Sequence, residues 1–147
     1  MNPPASSPTA HPDGALDRIR RFFLGDKFAA HASIELLAVS PGHARARMTL
    51  GPHHLNGYGT VQGGAIFTLA DFAFAAASNS HGTVAVAANV SITFMKAGRA
   101  GTLWAEAREL SRNFKLGSYT VDVKDDAGDL VAVFQGLAYR KSEKIPD

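Results

Sequence analysis

The chain has 147 residues, no cysteine, and a net charge of +2 from 15 Lys and Arg against 13 Asp and Glu. This length predicts a single domain, and the absence of cysteine excludes disulfides, thiolate-ligated zinc, iron–sulfur clusters and thiol nucleophiles. The basic residues stand in ones and twos along the chain, which argues against nucleic-acid binding and suits a small anionic ligand better.

Residues 1–12 contain neither an apolar core nor a basic leader. We therefore expect a disordered tail here rather than a signal peptide. The longest apolar run, around Asp71, is too short and too interrupted to predict a membrane span. A cytoplasmic protein is the default expectation.

A short amphipathic helix is predicted directly after this segment. Leu16, Ile19 and Phe23 recur at helical spacing. Asp13 can act as the N-cap of this helix, and Gly25 suits the position just after its end.

Two strands joined by a tight turn are predicted next. Residues 33–40 and 43–50 flank the turn formed by Pro41 and Gly42. In the second segment, small or apolar side chains alternate with charged or polar ones. This period of two is typical of a half-buried strand, and the pair predicts a hairpin.

A long helix is predicted from about Gly63 to Ser80, ended by Gly82, and four strands follow it. The strand segments are Val84–Met95, Thr102–Ser111, Ser118–Lys124 and Leu130–Tyr139. No spacer between them is long enough for another helix, so these strands must pair antiparallel. The prediction is an α+β fold in which a curved antiparallel sheet wraps one long central helix, with a short N-terminal helix in front. A single domain spans residues 13–141, and residues 142–147 are expected to form a tail.

Asp71 is the one ionisable residue in the most apolar stretch of the chain. A helix that is apolar all round is normally buried, and an ionised carboxylate is costly to bury without a partner. Two interpretations stay open at this point. Asp71 either carries out chemistry, or it caps a backbone group or pairs with a buried Arg or Lys.

The loop before the long helix is rich in glycine. Residues 56–64 read NGYGTVQGG, and the last two glycines lead directly into the helix N-terminus. Free N–H groups there favour negative charge, and they can form an oxyanion hole for a carbonyl under attack. The loop has neither the Gly-Lys-Ser/Thr of a Walker A motif nor a GxGxxG dinucleotide motif.

The segment NGYGTVQGGAIFTLADFAFA at residues 56–75, followed by NSHG at 79–82, resembles the hotdog-fold acyl-CoA thioesterases of the phenylacetate-degradation (PaaI) type. That group carries an NGxGxxHGGxxFxLAD signature followed by AFA and NSxG. The resemblance covers nearly everything after residue 30. It implies a hotdog fold and hydrolysis of an acyl-CoA thioester to free acid and coenzyme A.

The resemblance also implies roles for individual residues. Asp71 would be the nucleophile or general base, Gly63 an oxyanion N–H donor, and Asn56 the group that orients water or the thioester. Gln62 stands where the family has histidine, so it can make hydrogen bonds but cannot carry a proton. Asn89 stands near the strand position where relatives often have a small hydroxyl residue.

The spacing of Gly63 and Asp71 has a consequence for assembly. Eight residues on one helix separate them by about 12 Å, too far for both groups to act on one carbonyl. Two helices packed antiparallel across a two-fold axis would bring Asp71 of one chain near Gly63 of the other. We therefore expect a homodimer with composite sites, and the resemblance implies a dimer of dimers, that is, a homotetramer.

Further residues are candidates for binding the substrate. Gly64 continues the row of N–H groups, and Phe67 could line an acyl or aryl pocket. Arg112 and Lys115 could meet the phosphates of coenzyme A. The adjacent His53 and His54 are expected to be solvated, with no third ligand to suggest a metal site. No metal and no separate cofactor is expected, since coenzyme A arrives as part of the substrate.

Three function classes follow from these features. The first is a thioesterase acting on aryl- or medium-chain acyl-CoA. The second is a non-catalytic acyl-CoA-binding or regulatory protein that keeps the fold. The third, a hotdog acyl hydratase, is disfavoured because Gln62 cannot be the base that such enzymes take from histidine. No membrane or nucleic-acid partner is expected.

Overall fold

The computed structural model describes residues 13–147 of the chain, which contain three α-helices and six strands. The disordered tail expected at residues 1–12 lies outside these described residues. In chain order the elements are α1 Asp13–Leu24, α2 Lys27–His31, β1 Ile34–Ser40, β2 His43–Thr49, α3 Gly63–Asn79, β3 Thr83–Phe94, β4 Thr102–Arg112, β5 Leu116–Lys124 and β6 Leu130–Lys144.

All six strands belong to one antiparallel sheet with the order β1-β2-β4-β5-β6-β3. The strands that follow α3 are linked by connections too short for a crossover helix, and this forces the antiparallel pairing. The sheet is curved around α3, so the predicted architecture is confirmed. β1 and β3 form the two edges of the sheet.

The central helix α3 is buried because its sequence lets it pack closely against the sheet. Small side chains at Ala70, Ala73, Ala76 and Ala77 are fully buried, which brings the helix backbone near the strands. Larger rings fill the remaining space, with Phe74 lying 5.5–5.6 Å from two rings of the sheet, those of Phe134 and Tyr119. Gly136 makes room for this packing, since a Cβ there would lie 2.7 Å from the Phe74 ring.

Two parts of the fold differ from the sequence prediction. The five-residue helix α2 was not predicted, and Asp26 caps it by accepting a hydrogen bond from the Ala29 N–H at 2.9 Å. Strand β6 runs on to Lys144, where residues 142–147 were expected to be a tail. Ile145 is only 2% exposed and donates its N–H to the Gly82 carbonyl at 3.0 Å. Strand β6 therefore extends beyond residue 141, because it continues to pair with β3 as far as Lys144 opposite Thr83.

No helix within residues 13–147 is long and apolar enough to cross a membrane.

Candidate active site

The start of α3 is organised by the backbone and the side chain of Gln62. The Gln62 carbonyl accepts hydrogen bonds from the N–H groups of Ala65 and Ile66 at 2.9 and 3.2 Å. Its side-chain Oε1 accepts from the N–H of Gly63 at 3.0 Å, while the side chain itself is exposed. The N–H of Gly63, which is the predicted oxyanion donor, therefore already donates to an amide oxygen within one chain. This N–H is thus accessible to an acceptor of the carbonyl type.

The loop that leads into α3 is closed by Asn56. The Asn56 Oδ1 accepts hydrogen bonds from the N–H of Tyr58 at 2.9 Å and from the N–H of Thr60 at 3.2 Å. The Asn56 N–H donates to the Thr60 carbonyl at 2.8 Å, so the two residues form a closed turn. Gly59 at the tip has a φ of +74°, which favours glycine. Asn56 thus shapes the loop, with its side chain half-buried.

Asp71 lies in the middle of α3, on the side of the helix that residues 13–147 do not fully cover. The α3 residues that are not buried are Gly63, Gly64, Ala65, Phe67, Thr68, Asp71 and Ala75. Asp71 is half-buried rather than enclosed, because one chain alone leaves this stripe open. Phe67, one turn before it, is also half-buried and packs edge-on against Phe134 at 5.5 Å.

The electrostatic surroundings of Asp71 distinguish between the two interpretations of its role. Within residues 13–147 its carboxylate makes no hydrogen bond to a side chain and no ion pair. Burial raises the pKa of the Asp71 carboxyl above its usual 3.8, and the negative charge of Asp26 raises it further. A structural partner of the Arg or Lys type is therefore not found among the described residues.

Gly63 and Asp71 both lie on α3, as predicted. Their eight-residue separation corresponds to about 12 Å along the helix axis. One chain cannot bring the Gly63 N–H and the Asp71 carboxylate to the same carbonyl. Among the other candidates, Gly64 is exposed beside Gly63, and Asn89 is exposed at an irregularity of the edge strand β3.

Arg112 and Lys115 are not brought near the start of α3 within one chain. Their hairpin follows the end of β4, and Leu116 pairs with Tyr139, which in turn pairs with Val86 near the beginning of β3. Gly63 instead lies beside the ring of Phe94, at the other end of β3. Phe94 is eight residues from Val86, or about 27 Å along the strand at 3.4 Å per residue. Arg112 is bonded to Glu109 at 3.3 Å, and the Lys115 ammonium lies 5.8 Å from the Phe114 ring centroid.

His54 is a residue whose place was predicted wrongly. His53 is exposed, as expected for a solvated loop, but His54 is buried and both of its ring nitrogens are hydrogen-bonded. The sequence offers no signal for this difference, since the two histidines are adjacent and identical in type. No group of three or more His, Asp or Glu residues within residues 13–147 is arranged to hold a metal ion.

Comparisons with known proteins agree with this arrangement. The sequence profile of the Thioesterase superfamily matches residues 58–132, which include Asp71 and Gly63. The acyl-coenzyme A thioesterase PaaI of Escherichia coli is 36% identical over 116 residues, which cover 78% of this chain and 83% of that protein.

Solved structures show the same likeness. The structure of the E. coli PaaI protein from the phenylacetic acid degradation operon superposes with a TM-score of 0.87 at 32% identity, covering 92% of this chain and 99% of that one. The protein smu.793 of Streptococcus mutans, solved bound to acetyl-CoA, gives a TM-score of 0.72 at 27% identity, with 76% and 90% covered.

The central helix is wrapped by a six-stranded antiparallel sheet, begins with two glycines and carries a carboxylate. Together with these relatives, this fold identifies a hotdog-fold thioester hydrolase. The chain belongs to the thioesterase superfamily, and within it to the PaaI type.

Proposed function

We propose that this protein hydrolyses acyl-CoA thioesters at sites shared between two copies of the chain. The observation that carries the proposal is the half-buried Asp71 carboxylate, which has no ion-pair partner among residues 13–147 and shares α3 with the Gly63 N–H. The name of the E. coli relative and the acetyl-CoA bound to the S. mutans protein support coenzyme A as the carrier of the acyl group. Coenzyme A would enter as part of the substrate, without a separate cofactor.

The exposed edge strand supports assembly into a homodimer. β3 is twelve residues long and, within the described part of the chain, pairs on one side only, with β6. Val86 and Phe94 on this strand are 41% and 51% exposed, and Met95 directly after it is 60% exposed. A long, apolar, unpaired edge is a hazard for aggregation unless another chain covers it. A second copy related by a two-fold axis would cover the edge and also the open stripe of α3, and two such dimers would form the tetramer.

In the proposed reaction the thioester carbonyl oxygen displaces the Gln62 Oε1 from the N–H of Gly63. The positive end of the α3 dipole lies at this point and favours the charge that develops on the oxygen. The Gly64 N–H follows in the same turn. Because the Gln62 side chain is exposed, little other than this one hydrogen bond holds it in place.

Asp71 of the other copy acts on the carbonyl carbon. As a general base, it accepts a proton from water while the water oxygen forms a bond to the carbonyl carbon. The carbon–sulfur bond then breaks, and the thiolate of coenzyme A takes up the proton to leave as a thiol. As a nucleophile, Asp71 would instead attack the carbonyl carbon, break the carbon–sulfur bond and expel the thiolate of coenzyme A, which leaves a mixed anhydride on the enzyme. Water then hydrolyses this anhydride, which releases the acid, regenerates the Asp71 carboxylate and supplies the proton that the thiolate takes up. Both routes give one acid and one thiol.

The remaining candidates are assigned to binding and orientation. Asn56 and Gln62 would hold the water or the thioester, and Phe67 would contact an aryl or medium-chain acyl group. Asn89 would lie at the covered edge of β3. Arg112 and Lys115 would bind the coenzyme A phosphates only through the second copy, which is the arrangement that could bring them towards the helix start. A cytoplasmic location stays a prediction.

A second candidate function is a non-catalytic acyl-CoA-binding protein. The occupied Gly63 N–H and the glutamine at position 62 favour it, because no histidine is present there to move a proton. A hydratase stays disfavoured for the same reason.

The test is an assay of free thiol release with a panel of aryl- and medium-chain acyl-CoA thioesters. We expect turnover by the wild-type chain that is lost in Asp71→Asn and kept in Asp17→Asn. Asp17 is a matched control because it is also an aspartate on a helix but is exposed on α1. Tight binding of coenzyme A without thiol release would support the binding protein, and turnover that survives Asp71→Asn would contradict the proposed mechanism.

A further inference from the structure

The buried His54 lies at the base of the loop that leads into α3. It is 3% exposed, its Nδ1 accepts a hydrogen bond from the Gly51 N–H at 2.9 Å, and its Nε2 donates to the Ala32 carbonyl at 2.7 Å. A backbone N–H can only donate and a carbonyl can only accept. The two bonds together therefore require one neutral tautomer of the ring, with its proton on Nε2.

The main chain of His54 holds the residue that precedes the proposed oxyanion donor. The His54 carbonyl accepts a hydrogen bond from the Gln62 N–H at 2.8 Å. The neighbouring residues along the loop, Leu55 and Val61, form an antiparallel bridge. Gly63 is the next residue along the chain. The ring and the carbonyl of His54 thus join three parts of the molecule, which are the end of α2, the turn at Gly51 and the start of α3.

We infer that His54 is a positioning residue for the hydrolysis, whose neutral ring holds the loop so that the Gly63 N–H faces the thioester carbonyl. The inference rests on the proposed function for its effect on turnover. A proton added to Nδ1 would remove the bond from Gly51 and leave a charged group in a buried place. The loop would then lose its anchor, so the neutral ring is the form that holds it.

The groups that surround His54 leave the proposal open to a clean test. His53 stacks on it at 3.9 Å between ring centroids, and His31 of α2 lines the same hollow. The α3 residues that line this hollow are Gly64, Ala65 and Thr68, and none of them titrates. The two other histidines are therefore the side chains here whose effect on turnover must be separated from that of His54.

Two variants each keep one of the two ring bonds. His54→Asn places an amide oxygen near the position of Nδ1 and can accept from Gly51, whereas His54→Gln places an amide nitrogen near Nε2 and can donate to Ala32. Neither side chain can be protonated. We expect kcat to fall between about tenfold and 10²-fold in both, the range for a misplaced catalytic group, with KM changed by less than about threefold.

The rate per folded subunit, split into kcat and KM, provides a readout that a merely structural role would not change. Loss of folding alone lowers the active fraction and leaves this rate unaltered. His43→Gln, which changes a half-exposed histidine on the far side of the sheet, should keep the wild-type rate. An equal loss of kcat in His31→Gln or His53→Gln would overturn the inference, as would wild-type kcat per folded subunit in both His54 variants.

Two measurements do not depend on activity. Nitrogen-15 NMR of the wild type at neutral pH should show His54 with a protonated Nε2 and an unprotonated Nδ1. Amide hydrogen exchange at Gln62 and Gly63 should be at least about tenfold faster in the variants. A charged ring or the opposite tautomer would overturn the role of His54 even in an active enzyme. If the wild type hydrolyses no thioester, the proposed function fails, while these two measurements still decide whether His54 holds the loop.

Discussion

Replacement of Asp71 by asparagine is the change that tests the site most directly. Asparagine has nearly the same shape as aspartate, so the packing of α3 against the sheet should be kept. It cannot accept a proton from water or attack a carbonyl. We expect Asp71→Asn to fold, to assemble as the wild type does, and to lose turnover.

The size and the sign of the two effects follow from the surroundings of Asp71. Loss of a general base lowers the rate by about 10²-fold or more, which raises the barrier by about 2.7 kcal/mol. Burial and Asp26 raise the folded-state pKa of Asp71, so the folded chain binds this proton more tightly than the unfolded chain. The resulting stabilisation is fully present below the unfolded pKa of 3.8 and is lost as pH rises through the folded pKa. At neutral pH, Asp71→Asn should therefore unfold at a temperature equal to or above that of the wild type.

The assay measures turnover and thermal unfolding on the same preparation, with Asp17→Asn as the control for a surface aspartate. The wild-type rate should also rise with pH through the raised pKa of Asp71, and this limb should be missing from any residual activity of the variant. A lower melting temperature in Asp71→Asn, with activity that follows the folded fraction, would refute the reasoning. It would show that the carboxylate stabilises the fold by pairing, as the structural interpretation holds.

Three further predictions concern the oligomeric state, the side chain at position 62, and the hydrogen-bonded group of Glu109, His81 and Tyr119. Sedimentation at micromolar concentration should show a dimer or tetramer, and a monomer would contradict the composite site. If the Gln62 side chain only positions its neighbours, Gln62→His should change turnover by no more than about tenfold, which is a change of about 1.4 kcal/mol in the activation barrier. If the wild type is inactive and Gln62→His is active, the glutamine is the cause of the inactivity. Burial acts to raise the pKa of Glu109, but hydrogen bonds from His81 and Tyr119 outweigh it and hold this pKa below its usual 4.5. The resulting stabilisation is present above pH 4.5 and lost as pH falls through the lowered pKa, so urea unfolding of Glu109→Gln should lose this part of the acid dependence while Asp17→Asn keeps it.

The fold could be predicted because its signals are long. The apolar run of α3 and the alternation in the later strands persist over many residues, and the short connections permit only antiparallel pairing. The order of strands is a different matter, since β3 pairs with β6 rather than with its neighbour in sequence, β4. Closing the sheet around α3 decides that pairing, and no local pattern expresses it.

Short or context-dependent features could not be predicted. α2 has five residues, fewer than two helical turns, so no periodicity distinguishes it from a loop. The end of β6 is polar, and its place in the sheet is set by pairing with β3, where Lys144 lies opposite Thr83. Identical residue types at His53 and His54 have opposite environments because the His54 ring is the one that is hydrogen-bonded to Gly51 and Ala32. In each case the deciding contact comes from another part of the chain.

The glutamine at position 62 departs from the family, and the structure explains why the site can keep its shape. The backbone of Gln62 makes the contacts that set the loop and the helix, through its N–H to His54 and its carbonyl to Ala65 and Ile66. Its side chain is exposed and contributes one hydrogen bond, to the next residue, Gly63. Since any residue other than proline can supply that backbone, exchange of the side chain alters the chemistry at the helix start without moving it. In the proposed mechanism the protein depends on Asp71 and on the helix N–H groups for what a histidine would otherwise share, and this is why the Asp71 variant is the more decisive of the two.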